Sequence, residues 1–269
     1  MVSQVTAESP RQLRHEAQRL EILEAAAAAI AEHGFHGMTM RGLASATGRG
    51  LATFYNYFSG KEEVLFALQT EAFETMTTSV KAALENIAEP GDRLYVFVLN
   101  HLRFLAERRA VMRVLVHEAS ALPAGKRKTV RLLKEGYFKI CRDIVAAILT
   151  EGCDLPEGDT RLDPVEVERV TYSVFGMLNW SYGWYDPRHH GTPQDVAKTI
   201  HALAVRGLAG HRGETSTKGP SDRDLAAMDA APLAGWSGSG TAPSNKRPQA
   251  GENGSTRVHP RKAFEQDTV

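Results

Sequence analysis

The sequence predicts an all-α protein. Apolar residues recur at spacings of three and four over long segments, and no alternating strand pattern competes with them. Proline and glycine interrupt these segments, as at Pro90-Gly91, where one helix should end before the next begins. We expect four parts: a flexible N-terminal arm at residues 1–16, a three-helix unit at 17–63, a helical body at 64–211 and a disordered tail at 212–269.

The three-helix unit begins with a helix predicted from about Ala17 to His33, ending at Gly34. Its alanine-rich centre favours helix, because alanine has the highest helix propensity. The segment from Thr39 to Lys61 then predicts two short helices around a turn. Gly48 stands at that turn, since glycine supplies the positive φ that a side chain resists. The next helix has its own apolar stripe of Leu51, Phe54 and Phe58.

The segment around the glycine turn has the chemistry of a DNA contact. No Asp or Glu occurs from His33 through Lys61, so a polyanion meets no acidic side chain of this segment. A window of this length also lacks acids by chance, and a formal net charge of zero adds no argument for nucleic acid. A local patch is nevertheless the usual sign, and a short helix after a tight turn fits a major groove. The candidate DNA-binding residues are Thr39, Arg41, Arg49, Gly50, Leu51, Thr53, Tyr55, Asn56, Tyr57 and Lys61.

The same residues resemble a known family, the TetR-type one-component transcriptional regulators. The motif Leu-Ala to Gly48, then Thr-Phe-Tyr-Asn-Tyr-Phe at 53–58, then Lys-Glu-Glu-Val-Leu at 61–65 is similar to the N-terminal signature of that family. The resemblance implies that Thr39 binds phosphate at the start of the second helix and that Lys61 binds the DNA backbone. It also places residues 53 and 55–57 on or beside the recognition helix.

Three positions depart from the family pattern. Arg49 stands where a small aliphatic residue is usual, Gly50 replaces a Ser or Thr helix cap, and Leu51 replaces a polar contact residue. Glycine is a tolerable cap, so the helix should still form. Two interpretations of Arg49 are open: it contacts a phosphate or a base, or it disrupts the core. Leu51 either meets a thymine methyl group or replaces the missing aliphatic packing residue.

The N-terminal arm is basic, because Arg11, Arg14 and Arg19 precede or open the first helix. Two interpretations are open: the arm reaches a minor groove, or it is an unstructured tail. The C-terminal tail is rich in Gly, Ser and Pro and has no apolar periodicity, so it should be disordered. Its basic clusters at 246–247 and 257–262 either add non-specific DNA attraction or have no essential role.

The helical body is predicted to contain an effector site and a dimer contact. Its helices are expected at Lys61 to Asn86, Asp92 to Arg108, Ala110 to Ser120, Lys126 to Thr150, Pro164 to Tyr185 and Thr192 to Ala209. Trp180 and Trp184 share a helix face, which indicates a core or subunit interface or an apolar ligand site. The candidate ligand-binding residues are Asn100, Arg103, Phe104, Arg113, Phe175, Asn179, Trp180 and Trp184.

The family resemblance implies that the last helices pack against a second copy as a four-helix bundle, giving a two-fold dimer. Apolar area for that contact is expected from Val196, Ile200, Leu203 and Leu208. The motif Asn-Trp-X-Tyr-X-Trp-Tyr at 179–185 also looks like a subgroup that senses acyl-CoA thioesters. Such a ligand needs cations for its phosphates and an apolar channel for its acyl chain.

Composition and motifs favour a soluble regulator over an enzyme. The chain has 269 residues, of which 42% are hydrophobic and 24% charged, and no apolar run reaches membrane-span length, so the cytoplasm is expected. Cys141 and Cys153 support neither a disulfide framework nor a Cys-rich metal site. His117-Glu118 lacks the second His of a zinc motif, and His189-His190 should lie in an exposed loop. We expect no catalytic residue, metal or cofactor.

The sequence therefore predicts a homodimeric transcriptional repressor that a small effector releases from a palindromic double-stranded DNA operator. An acyl-CoA thioester is the expected class of effector. The alternative is a DNA-associated interaction module that lacks an effector and is regulated through its tail. Deleting residues 212–269 distinguishes the two, because effector-dependent regulation should survive the deletion.

Overall fold

The computed structural model describes residues 9–118, 120–151 and 163–210. Every regular element in these ranges is a helix, which confirms the predicted fold class. Each helix of the body begins close to its predicted start. The helices are α1 (Pro10–His33), α2 (Met40–Ala46), α3 (Leu51–Tyr55), α4 (Lys61–Leu84), α5 (Pro90–Glu107), α6 (Arg109–His117), α7 (Ala124–Glu151), α8 (Pro164–Trp184), α9 (Pro187–His190) and α10 (Pro193–Gly210).

Helix α1 begins at Pro10 rather than at about Ala17, so the predicted flexible arm is wrong for residues 10–16. The Ser9 side chain accepts a hydrogen bond from the Gln12 backbone N–H at 3.3 Å, and the Gln12 side chain accepts one from the Ser9 N–H at 2.8 Å. This reciprocal capping box, with proline in the first turn, starts the helix without any apolar periodicity. Residues 1–8 lie outside the described ranges.

The turn between α2 and α3 is built on Gly48, which has φ +65° as predicted. The Gly48 N–H bonds to the Ser45 carbonyl at 3.0 Å, and the Arg49 N–H bonds to the Ala44 carbonyl at 3.1 Å. These two bonds form a Schellman motif, which ends α2 and leaves glycine at the left-handed position. Behind the turn, Phe54 and Phe58 are buried with ring centroids 5.8 Å apart.

Helix α5 is the centre of the helical body. It is buried from Leu94 to Leu102 along all its faces, and it packs against α4, α7, α8 and α10. A helix that is apolar all round must be enclosed by others. Val196 and Ile200 of α10 are buried in this packing, so they contribute to the core of one subunit rather than to the predicted dimer contact.

Two smaller expectations are also resolved. His189 and His190 are exposed, but they belong to the short helix α9 and not to a loop. Cys141 is buried in α7, and burial raises the pKa of its thiol to about 12, so the thiol is protonated and unreactive at neutral pH. Cys153 and the predicted tail from residue 212 lie outside the described ranges.

Candidate DNA interface and ligand cavity

The exposed face of the helix-turn-helix carries polar side chains from α2 and α3. The Thr39 hydroxyl accepts a hydrogen bond from the Gly42 N–H at 3.0 Å and so caps α2. We call the exposed residues in and beside α2 and α3 the recognition surface: Thr39, Arg41, Thr53, Tyr55 and Asn56. It offers hydroxyl, amide and guanidinium donors, the groups that proteins use on phosphates and base edges.

Tyr57 and Arg49 are held by α1 rather than free on this surface. The Tyr57 hydroxyl donates to the Gln18 side chain at 2.6 Å, and its ring stacks on His15 at 4.7 Å. Arg49 forms an ion pair with Glu21 at 2.8 Å. Sequence reasoning missed this pairing, because Glu21 lies outside the acid-free segment and only the fold brings it to the turn. The DNA-binding role of both residues stays a prediction.

Leu51 packs against the core and is half-buried, as the packing interpretation of this position requires. Gly50 precedes α3 with φ −66°, so its conformation does not require glycine. The Phe54 N–H bonds to the Gly50 carbonyl at 3.0 Å, which shows that the helix forms without a side-chain cap. Gly50 and Leu51 depart from the family pattern, but they leave the helix-turn-helix geometry intact.

Lys61 connects α4 to the loop between α1 and α2. Its ammonium donates to the carbonyls of Phe35 at 3.4 Å and Met38 at 3.2 Å, and lies 4.7 Å from the centre of the Phe35 ring. An ammonium has three N–H donors, so two bonds to carbonyls leave one for a phosphate oxygen. The side chain is half-buried. Lys61 thus supports the loop before α2 as well as being the candidate DNA backbone contact.

A cavity of about 340 Å³ lies among α4, α5, α6, α7 and α8. Aromatic rings form much of its wall: Phe138 stacks on Phe175 at 5.3 Å, and Tyr137 lies 6.0 Å from Phe175. The lining residues are Phe73, Met76, His101, Met112, Leu115, Val116, Lys134, Tyr137, Phe138, Tyr172, Phe175, Gly176 and Asn179. An apolar cavity with a few polar groups is the usual form of a small-molecule site.

The titratable groups inside the cavity are neutral at physiological pH. Burial lowers the pKa of His101 from 6.5 to about 3. Burial also raises the pKa of the Tyr137 phenol well above 10.0. The Tyr137 hydroxyl lies 3.4 Å from His101 Nδ1. The inner part of the cavity therefore presents uncharged hydrogen-bonding groups and no fixed charge from these two residues.

The structure brings only part of the predicted ligand set to this cavity. Phe175 and Asn179 line it. Asn100 and Phe104 are buried in the core, where α5 packs on its neighbours, and they do not line this cavity, so their ligand-binding role stays a prediction. Arg103 is half-buried and Arg113 exposed, and neither lines the cavity.

Trp180 and Trp184 are also absent from the cavity wall, because both lie on the outer side of α8. They are 68% and 40% exposed, respectively. Sequence reasoning missed the contributions of α4 and α7, because those helices come together only in the fold. The spacing of Tyr172, Phe175, Gly176 and Asn179 on one face of α8 was a usable signal.

Helix α6 connects the cavity to the three-helix unit. Its residues Met112, Leu115 and Val116 line the cavity. Just before α6, Arg108 forms an ion pair with Glu24 of α1. Just after it, the Glu118 carboxylate accepts the Phe35 N–H at 3.1 Å.

Glu118 and Arg109 extend this network to α4 and α8. The buried Gln69 side chain donates to the Glu118 carbonyl at 3.2 Å, which connects the end of α6 with α4. At the other end of α6, Arg109 Nε donates to the Tyr182 carbonyl of α8 at 2.8 Å. The bonds at the two ends of α6 therefore reach both the three-helix unit and the helical body.

Two further properties bear on function. In residues 9–118, 120–151 and 163–210 no helix combines the length and apolar character needed to cross a membrane. The same ranges contain no cluster of three or more His, Cys, Asp or Glu side chains arranged to hold a metal ion.

Two family models match the chain. The model described as bacterial regulatory proteins of the tetR family matches residues 22–68. The model described as the tetracyclin repressor-like C-terminal domain matches residues 88–208. Together they span the helix-turn-helix and most of the helical body.

Individual relatives extend over most of the described chain. The chain is 27% identical over 192 residues to the HTH-type transcriptional repressor KstR2 of Mycobacterium tuberculosis, covering 71% of this chain and 92% of that protein. It is 26% identical over 160 residues to the fatty acid metabolism regulator protein of Bacillus subtilis, covering 60% and 79%. A TetR-family transcriptional regulator from Bordetella parapertussis superposes with a TM-score of 0.64 at 25% identity, covering 74% of this chain and 98% of that one.

These matches agree with the geometry of the glycine turn and with the helical body behind it. The N-terminal unit is a helix-turn-helix of the TetR type, and its relatives are transcriptional repressors and regulators. The chain belongs to the TetR family of bacterial transcriptional regulators.

Proposed function

We propose that the protein is a homodimeric repressor that binds a palindromic operator and leaves it when a small effector, an acyl-CoA thioester, enters the cavity. The cytoplasm is the proposed site of action. The observation that carries the proposal is α6, which lines the cavity and is tied to the three-helix unit at both ends. Arg108 before it pairs with Glu24 of α1, and Glu118 after it bonds to Phe35 in the loop that follows α1. Effector release requires the ligand to prefer the conformation that does not bind DNA.

DNA binding is supported by the recognition surface and by Tyr57 and Lys61 beside it. We expect Lys61→Ala to weaken binding to every DNA sequence, because a phosphate contact carries no sequence information. Loss of one such contact should lower the slope of log Kd against log salt concentration by about 0.9. Fluorescence anisotropy at several salt concentrations measures this slope. Tyr57→Phe should also weaken binding to all sequences.

Lys128→Ala is the matched control for this prediction. Lys128 is exposed on α7, so its removal changes the net charge equally without touching the helix-turn-helix. An unchanged slope and affinity for Lys61→Ala, with a folded protein by circular dichroism, would show that Lys61 only supports the Phe35 loop.

The thioester class is supported by the cavity and by one relative. The cavity is apolar and aromatic, as an acyl group requires, and Lys134 is an exposed cation among its lining residues. A cation at this position suits the phosphates of coenzyme A. The similarity to a fatty acid metabolism regulator protein points to acyl compounds as effectors.

Coupling between cavity and DNA should depend on Glu118. We expect Glu118→Ala to leave effector binding intact and to reduce the effect of the effector on operator affinity about five- to tenfold, because a charge-assisted hydrogen bond to Phe35 is lost. Operator affinity measured with and without effector gives this coupling directly. Glu118→Gln is the control, since its amide oxygen still accepts the Phe35 N–H. Equal coupling in wild type and Glu118→Ala would exclude this path.

Dimerisation is supported by apolar residues exposed on α8 and α10. Of the nine large hydrophobic residues exposed in the described ranges, five lie on these two helices. Tyr172 lines the cavity, and the other four are Val165, Trp180, Trp184 and Leu203. A clustered exposed apolar face indicates an interaction surface. A two-fold dimer would present two recognition surfaces to the half-sites of a palindrome.

The experiment that tests the proposal is anisotropy of the purified protein on DNA from its own upstream intergenic region, titrated with acyl-CoA thioesters. We expect saturable, salt-sensitive binding that one thioester reverses. Binding that no thioester alters would retain the regulator and exclude the effector class. Failure to bind DNA of any sequence at low salt would exclude the regulator.

A further inference from the structure

Outside the DNA interface, the side chain that most directly indicates a ligand contact is the buried imidazole of His101. His101 lies on α5 at the wall of the cavity, and 1% of its surface is exposed. Its Nδ1 lies 3.4 Å from the Tyr137 hydroxyl, whereas its Nε2 is buried without a hydrogen-bond partner among the described residues. A buried polar atom without a partner is destabilising, so a ligand that supplies one gains affinity.

The surroundings of His101 restrict the chemistry of such a ligand. Because burial lowers the pKa of His101 and keeps the imidazole uncharged, an incoming carboxylate meets no positive charge there. The rings of Tyr137 and Phe175 lie 6.1 Å and 6.2 Å from the imidazole and add apolar surface. An ionised group placed here would lose its hydration without gaining a counter-charge.

The charge at the cavity lies at its edge. The cationic side chain among the lining residues is that of Lys134, and it is exposed. Asn179 is half-buried and offers an uncharged amide. The cavity thus has an uncharged polar interior and a cationic rim, an arrangement that sorts the parts of a ligand by charge.

We propose that the cavity binds a ligand whose buried part carries an uncharged carbonyl or hydroxyl oxygen bonded to His101, while any anionic part of the ligand stays at Lys134. The inference rests on the proposed effector function and specifies it: a thioester or ketone places its carbonyl oxygen at His101, whereas the corresponding free acid keeps its carboxylate at Lys134. His101 then acts as a specificity-determining residue that distinguishes an activated acyl group from its hydrolysis product.

The test uses two dyes that share one ring system. Prodan is a dimethylaminonaphthalene with a neutral ketone, and its matched partner carries a carboxylate in place of the ketone. Titration of the full-length Lys134→Ala protein, which lacks the cation at the rim, is followed by dye fluorescence. It should show Prodan binding at least about 100-fold more tightly than the carboxylate, because an unpaired buried carboxylate is costly. Comparable affinities for the two dyes would overturn the inference.

Variants assign the effect to His101. His101→Leu should weaken Prodan binding about fivefold, the usual effect of one lost hydrogen bond to a neutral group. It should also shift the emission of bound Prodan to shorter wavelength, since a hydrogen bond to its carbonyl shifts emission to longer wavelength. His101→Gln keeps an uncharged donor and should retain most of the affinity. Unchanged affinity and emission in a folded His101→Leu protein would overturn the assignment.

Two features keep the outcome interpretable. The comparison of the two dyes uses a protein with His101 in place, so it holds even if His101→Leu fails to fold. Dye binding is measured without DNA, so it is independent of effector release. If Prodan binds as expected but leaves the operator complex intact, Prodan is not a releasing effector. The proposed function is contradicted only if the thioesters also fail to release the operator. The inference about the cavity would then still stand.

Discussion

Leu203→Glu is expected to convert the proposed dimer into monomers and to reduce operator affinity at least about 100-fold, since two linked half-site contacts bind far more tightly than one. Leu203 is 61% exposed on α10, beside a groove of about 350 Å³ between α8 and α10. In a two-fold contact each substitution appears twice. Two carboxylates would then replace apolar side chains in the buried interface, which is unfavourable.

Light scattering during gel filtration measures the mass, and anisotropy on a palindromic operator measures the affinity. Leu132→Glu is the matched control, because Leu132 is 55% exposed on α7 and does not line this groove. This control should remain dimeric and bind normally. A dimeric Leu203→Glu protein with normal affinity would show that the α8 and α10 face does not hold the subunits together.

The sequence predicts the helix-turn-helix well, because its determinants are local. Gly48, Phe54 and Phe58 follow from the turn chemistry and from the spacing of apolar residues within a few residues of each other. The start of α1 was missed because it depends on the hydrogen bonds of Ser9 with Gln12, a local signal without hydrophobic periodicity.

The cavity was predicted only in part, because its walls come from five helices. Periodicity shows that Phe175 and Asn179 share a face, but it does not show which residues of α4 and α7 lie opposite them. His101 is a further example, since its sequence neighbours Asn100 and Leu102 are equally buried yet do not line the cavity. Tertiary packing decides which buried residue meets a ligand.

The second large effect is expected at Gly176, which lines the cavity from α8. A Cβ placed on this residue would meet no described atom within 4 Å, so a side chain here would enter open space. Glycine within a helix lowers helix stability by about 0.8–1.0 kcal/mol relative to alanine, so helix stability does not explain why glycine occupies this position. Gly176 is exposed, so the open space beside it lies on the solvent side of the cavity, where a ligand can enter.

Gly176→Leu should fill this space and leave the fold intact. We expect the effector concentration needed to release the operator to rise about 10- to 100-fold, because the ligand must displace a side chain at a cost of about 1–3 kcal/mol. Operator affinity without effector should stay within about twofold of wild type, since Gly176 lies outside the helix-turn-helix. Anisotropy titrations with the active thioester measure both quantities.

Gly136→Leu is the control for this prediction. Gly136 lies within α7, is exposed, and has the same open surroundings, but it does not line the cavity. Both substitutions change the same residue type in a helix interior, so they share any effect on helix stability. A normal effector response in Gly176→Leu would locate the effector site elsewhere in the molecule. Loss of response in both variants would indicate a general effect of the added side chain on the helical body. Selective loss in Gly176→Leu, with the operator still bound, would identify this cavity as the site through which the effector controls DNA binding.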